Sequence, residues 1–277
     1  KIKKALRAIT SDKQLLFGCI GLAILLLVIL FQGVLETHDP YEYGTDSLAG
    51  LGVNGHILGT NKLGQDIYSM LIAGVSTSLK VALISSMISA IIGILIGGTA
   101  GFLGGRVDMV LSELINVFMM IPTFFLELMI IALFGNIIVN VMIVIGLTSW
   151  ASNAKLMRAQ ALSLRERTFV KSAIVMGESQ PQILFNYIIP NGIFPVVANT
   201  TMGMSGAILT EASLGLGDVN VISWGQMIYD GKSYITSAWW IATFAGLAII
   251  FTVIVFYMMG DGLNHVLNPK HVSGGKK

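Results

Sequence analysis

Residues 155–192 read KLMRAQALSLRERTFVKSAIVMGESQPQILFNYIIPNG, a basic stretch set between long apolar ones. Its cations are Lys155, Arg158, Arg165, Arg167 and Lys171, which mark it as a segment outside the bilayer core. It carries two helical patterns. From Thr168, the residues Phe169, Val170, Ala173 and Ile174 recur at helical spacing, and the pattern stops at Gly177, a residue suited to the left-handed turn that closes helices. A second helix is predicted from Ser179, whose hydroxyl caps it, with Pro181 in the first turn and Gln182 completing a capping box. A structured helical pair outside the membrane is a surface made for a partner; the alternative is a solvated basic loop.

Around this segment the chain is apolar. Of 277 residues 54% are hydrophobic and 12% charged, too apolar a balance for a soluble domain of this length. A span needs about 20 mostly apolar residues, and six stretches qualify: 15–31, 79–102, 109–134 and 137–154 before the basic segment, 193–209 and 239–259 after it. The fourth is interrupted by Asn140, Ser149, Ser152 and Asn153, and is expected to run on as helix into water. No small-residue cleavage site follows the first, so it is expected to stay as a span. Lys and Arg are retained on the cytoplasmic side. With the N-terminus inside, Lys1, Lys3, Lys4, Arg7, Lys13, Arg106, the five cations of the basic segment, Lys270, Lys276 and Lys277 are all cytoplasmic. Lys62, Lys80 and Lys232 remain outside among the acids Glu36, Asp39, Glu42, Asp46, Asp66, Asp218 and Asp230. Both termini are therefore expected in the cytoplasm. The formal charge of +2 gives no reason to expect nucleic-acid binding, and the single cysteine, Cys19, excludes a disulfide framework within the chain.

Several faces carry candidate function. Gly93, Gly97, Gly101 and Gly105 recur every four residues, a face on which a neighbouring backbone approaches closely. In the third span Glu113, Asn116, Met120 and Glu127 fall on one side of a straight helix. A carboxylate at membrane depth faces the bundle interior or water, so Glu127 is a candidate pathway residue, the alternative being a structural hydrogen bond. The fifth span aligns Pro195, Asn199, Gly203, Gly206 and Thr210, either a tight helix contact or the wall of a cavity. Catalytic patterns are not visible. The stretch from Gly225 to Ser233 has five residues between its glycines where a phosphate loop has four, and His38, His56, His265 and His271 lack metal-ligand spacing.

Lys171-Ser172-Ala173, Gly177 and Ile189-Pro190 resemble, at the same spacing, the Glu-Ala-Ala, Gly and Leu-Pro loop of ABC-importer permeases. His56-Ile57-Leu58-Gly59-Thr60, Leu63-Gly64-Gln65-Asp66 and the stretch from Gly74 to Leu79 resemble the segment before span two in the second permease of dipeptide and oligopeptide importers. Arg165-Glu166-Arg167, Thr210-Glu211-Ala212-Ser213-Leu214, Gly215-Leu216-Gly217, Ser223-Trp224-Gly225 and Gly260-Asp261-Gly262-Leu263 extend the likeness over nearly the whole chain. The departures are Asn61 where Asp is expected, Gln65 where Arg is expected, Lys171 where Glu is expected, and a few residues missing between Leu214 and Gly215.

The resemblance implies an all-α, polytopic ABC type I importer permease fold with six transmembrane helices in the cell membrane of a prokaryote. Residues 1–72 would hold the tail, first span and extracytoplasmic segment, residues 73–265 the permease domain with coupling loop 155–192, and residues 266–277 a cytoplasmic tail. It implies a sibling permease, two ATPase subunits and an extracytoplasmic peptide-binding protein as partners. ATP and Mg would be bound by the ATPases, with no catalytic site, metal or cofactor in this chain. The coupling set would be Arg167, Phe169, Lys171, Ala173, Ile174, Gly177 and Pro190, and the pathway candidates Glu127, Asn199, Gly203 and Thr210. The substrate would be dipeptides or oligopeptides. The rivals are a nickel or other small-solute importer of the same family, a proton-coupled secondary transporter using Glu113 and Glu127, and a membrane enzyme or receptor subunit.

Overall fold

The computed structural model describes residues 12–135, 137–214 and 221–267. Lys1, Lys3, Lys4, Arg7, Gly215-Leu216-Gly217, Asp218, Lys270, His271, Lys276 and Lys277 lie outside the described residues.

Helix α1 (Lys13–Leu30) begins at Asp12, whose carboxylate accepts the Leu15 N–H at 2.9 Å. Helix α2 (Ile67–Leu103) has 37 residues, roughly 55 Å at 1.5 Å per residue, far more than the hydrocarbon core requires. The span expected at 79–102 is therefore the C-terminal part of a longer rod whose N-terminal part belongs to the segment before it that is expected to lie outside the membrane, the outer segment. Helices α3 (Gly105–Met120), α4 (Thr123–Phe134), α5 (Ile138–Thr148), α6 (Trp150–Arg165) and α7 (Thr168–Val175) follow. A short ascending link, including Gln180–Ile183, a π-turn Leu184–Ile188 and Ile189–Gly192, leads to α8 (Phe194–Leu214), α9 (Trp224–Gly231) and α10 (Trp240–Leu267), with single helical turns at Gln32–Leu35 and Lys232–Tyr234 besides. Helix α2 is the central post, packed on α3, α5, α6 and α8, while α10 packs on α1 and α8.

Three helices, α1, α2 and α10, are long and apolar enough to cross a membrane, and two bent pairs bring the count to five. The fourth expected span, 137–154, is the one outside this count: it is divided at Ser149 into α5, with 11 residues, and the start of α6. Helix α6 runs on to Arg165, as the polar interruptions foretold. The third span is not straight: α3 and α4 meet at 84°. Pro122 has no N–H to donate and disfavours helical backbone at Ile121, which is extended at ψ 127°. The bend separates residues that a straight helix would align, leaving Glu113 and Asn116 exposed and Glu127 buried.

The glycine face of α2 packs as expected, but only over three of its four positions. A methyl on Gly93, Gly97 or Gly101 would lie 2.5, 2.1 or 2.4 Å from Asn153 Cβ, the Ala154 carbonyl or the Arg158 carbonyl of α6. Gly105 lies beyond the break at Gly104, and a methyl added there would meet nothing within 4 Å. Asp108 of α3 also holds this helix, taking Arg158 Nε at 2.5 Å and Nη2 at 2.8 Å in a bidentate pair.

In the outer segment, Trp240 Nε1 donates to the Thr60 carbonyl (3.1 Å) and Trp224 Nε1 to the Leu71 carbonyl (3.0 Å). Gly74 is required because Trp224 lies within 3 Å of any methyl placed there. Asn61 and Gln65, the two departures from the resemblance, are buried against each other, with Asn61 Nδ2 donating to Gln65 Oε1 at 2.8 Å and Gln65 Nε2 to the Pro40 carbonyl at 3.0 Å. A neutral amide pair thus occupies the positions where an acid and a base were expected, so the two departures compensate each other.

Candidate functional site

A cavity of about 280 Å³ opens between α2, α4, α8 and the α5–α6 junction. Helix α2 contributes Ser85, Ser86 and Ser89, α4 contributes Thr123, Phe124 and Glu127, and the junction contributes Ser149, Ser152 and Asn153. From α8 come Asn199, Thr200, Gly203, Gly206 and Thr210. All four pathway candidates, Glu127, Asn199, Gly203 and Thr210, thus line one space. A methyl added at Gly203 or Gly206 would meet nothing within 4 Å, so within this chain the small-residue face of α8 borders open space and is not a tight helix contact. Pro195 of the same stripe is not among the lining residues.

Hydrogen bonds hold the wall. Thr148 Oγ1 donates to Glu127 Oε1 at 2.7 Å, and Glu127 is 3% exposed. Asn153 is the junction of the network: its Nδ2 donates to Ser89 Oγ (3.1 Å), and its Oδ1 accepts from Asn199 Nδ2 (2.9 Å). Sequence reasoning read Asn153 only as an interruption of an apolar run and passed over Ser85, Ser86 and Ser89. Their spacing along one helical face was the available signal.

The second constellation is α7. Its Val170 and Ala173 are buried among Met157 and Ala161 of α6 and Ile183, Leu184 and Ile188 of the ascending link. Phe169, half exposed, lies 6.4 Å from the Tyr187 ring. Ile174, Val175 and Met176 are exposed by 51%, 87% and 71%. The apolar residues of the helix therefore divide between an inner face, covered by this chain, and an outer tip that it leaves bare. The tip is closed at Gly177, with φ +81°: the Glu178 N–H bonds to the Ala173 carbonyl (3.2 Å) and the Gly177 N–H to the Ile174 carbonyl (3.0 Å), the paired bonds of a Schellman motif. Ser179 and Gln182 form the expected capping box. Arg167 occupies the N-cap of α7, and Pro190 is exposed in the link. The Lys171 ammonium, unfavourable beside a helix N-terminus, reaches Glu166 at 2.9 Å, and this hydrogen bond, with the charge behind it, holds the Glu166 carboxyl below its ordinary value.

Residues 89–272, which contain α7 and the cavity lining apart from Ser85 and Ser86, match the family described as binding-protein-dependent transport system inner membrane component. The chain belongs to this family. Among its relatives, the probable D,D-dipeptide transport system permease protein DdpC of Escherichia coli K12 is 30% identical, the alignment covering 92% of this chain and 87% of that protein. The oligopeptide transport system permease protein OppC of Haemophilus influenzae is 33% identical over 90% of this chain and 83% of its own length. The di/tripeptide transport system permease protein DppC of Pseudomonas aeruginosa is 31% identical over 97% and 92%. A chain of the MetNI methionine ABC transporter, solved in inward-facing conformations, superposes with a TM-score of 0.56 at 19% identity, covering 71% of this permease and 96% of that chain. At that identity the likeness is one of fold, the type I importer fold.

Proposed function

We propose that this permease forms half of the translocation pathway of an ATP-driven peptide importer, with the cavity between α2, α4 and α8 as its contribution to the path. The observation that carries the substrate class is the lining itself. Serine and threonine hydroxyls and two asparagine amides offer hydrogen bonds to peptide groups, while the missing side chains at Gly203 and Gly206 leave room for varied cargo side chains. Among the described residues, the side chains lining the cavity include no imidazole or thiol, ligands that suit nickel, which supports peptide over metal as cargo. Glu113 and Glu127 stand on opposite sides of an 84° bend, one exposed and one buried, so they do not form the paired relay that a proton-coupled reading needs.

The bare tip of α7 is the docking element for an ATPase subunit. Its inner face is anchored on α6 and the ascending link, so a push on Ile174, Val175 and Met176 is transmitted as a rigid body to the link and then to α8, which lines the cavity. A sibling permease completes the pathway, two ATPases supply ATP hydrolysis, an outer binding protein delivers the peptide, and both termini lie in the cytoplasm. Reconstitution tests this: vesicles holding this chain, its sibling, the ATPases and the binding protein should accumulate labelled di- and oligopeptides in an ATP-dependent manner and not accumulate labelled nickel. Nickel uptake without peptide uptake would overturn the substrate assignment.

A further inference from the structure

We propose that His38, His56 and Asp66 form a site for a divalent transition-metal cation of the zinc class in the outer segment, resident there and separate from the translocated cargo. The three residues are far apart in the chain, which is why their spacing carries no metal signature. Folding brings one potential ligand atom from each to within 4.8 Å of the others. His56 Nδ1 lies 2.9 Å and His38 Nδ1 3.8 Å from the same carboxylate oxygen, Asp66 Oδ1. Neighbouring ligands about 2.0–2.2 Å from a tetrahedral zinc are roughly 3.4 Å apart, and the two separations bracket that distance.

The carboxylate is oriented for the task. Its Oδ2 takes the Ser69 N–H (2.8 Å), the Ser69 hydroxyl (2.8 Å) and the Thr37 hydroxyl (3.2 Å), which leaves Oδ1 directed to the imidazoles. Ser69 Oγ in turn accepts the His38 backbone N–H at 3.1 Å, so one hydroxyl fixes both the carboxylate and the chain that carries the second imidazole. Outer partners of this kind orient metal ligands.

A hydrogen bond from His56 to Asp66 accounts for His56 alone. The ring of His38, 41% exposed, lies 4.6 Å from the His56 ring with its Nδ1 toward the same carboxylate and 3.1 Å from the Thr37 hydroxyl, a partner it would exchange for a metal. A cation bound by the three would hold both Nδ1 atoms and Asp66 Oδ1 together in place of these separate hydrogen bonds, and the exposed side of His38 leaves a position for water. Two imidazoles and one carboxylate suit zinc, copper or nickel and not magnesium or calcium. Asp66 precedes Ser85, the first cavity residue on α2, by a length of helix of roughly 28 Å at 1.5 Å per residue. The bound cation would therefore pin the start and end of the outer segment together, away from the path.

The full chain, purified in detergent without a polyhistidine tag and stripped with a chelator, is titrated with zinc chloride by calorimetry. One equivalent should bind, and His38→Ala and His56→Ala should each weaken binding by about tenfold or more, at least the loss that outer-shell changes cause. His265→Ala should leave it unchanged. Cobalt(II) serves as a second probe, since its visible bands report nitrogen coordination in the unaltered chain even where a variant fails to fold. Absence of stoichiometric zinc binding, cobalt bands without a nitrogen-ligand signature, or equal binding by both folded histidine variants would overturn the site.

Discussion

Substituting Gly177 separates two physical demands on the coupling tip. The residue sits at φ +81° in the turn that closes α7, and a methyl placed there meets nothing within 4 Å of this chain. Within the permease alone, the cost of a side chain is thus purely conformational. An L-residue held in the left-handed region costs about 1–2 kcal/mol, a roughly five- to thirtyfold shift against the closed turn. Asn and Asp tolerate that region best and β-branched residues worst. If the turn geometry aims the tip, loss should follow the order Val, then Ala, then Asp and Asn, with Gly177→Ala lowering ATPase association about five- to thirtyfold. If a partner's cleft closes directly over the position, Asp and Asn should instead fall below Ala. Co-purification of the ATPases with each variant, together with peptide uptake and membrane yield, distinguishes the two orders. Yield should stay constant, because insertion depends on the spans. Normal association and uptake by both Val and Asp variants would refute the assignment of α7 as the coupling element.

Four further outcomes are expected. Gly97→Leu should force α2 and α6 apart by on the order of 1 Å, since even its β-carbon would lie 2.1 Å from the Ala154 carbonyl, and should destabilise the fold by about 1–3 kcal/mol, read as a lowered melting temperature in detergent. Asn61→Asp alone puts an unpaired carboxylate into a buried site at a cost of about 3 kcal/mol or more, and the double change Asn61→Asp, Gln65→Arg should recover most of it; a thermal-stability cycle that shows no coupling rejects the compensation. Glu127→Leu should leave insertion intact and lower peptide uptake or narrow its range, whereas unchanged uptake and range remove Glu127 from the pathway. Single cysteines placed at Asn54 and Arg167 should react with an impermeant thiol reagent in intact cells only at position 54, and labelling at 167 rejects the topology.

The local chemistry of the coupling element was legible in the sequence because its determinants lie within a few residues of one another. Helical spacing from Thr168, a glycine stop and a capping box at Ser179 require nothing from the rest of the chain, and each appears in the structure. The glycine repeat foretold a close helix seam for the same reason, although it extended the seam one residue too far, to Gly105. The bend at Pro122 was also present in the sequence; it was missed because apolar length was weighed and backbone donors were not.

By itself, then, the sequence determined the membrane as solvent, the helical class, the two caps of the basic segment and the polar or small faces on individual spans, because hydropathy and periodicity are properties of neighbours along the chain. Only the tertiary structure decided which faces meet. It joined Ser89, Asn153 and Asn199 across three helices, set Glu127 against Thr148, paired Asn61 with Gln65 in a buried pocket and gathered His38, His56 and Asp66 around one carboxylate oxygen. Such contacts depend on how helices bend and cross, and a bend of 84° at one proline redirects every side chain beyond it.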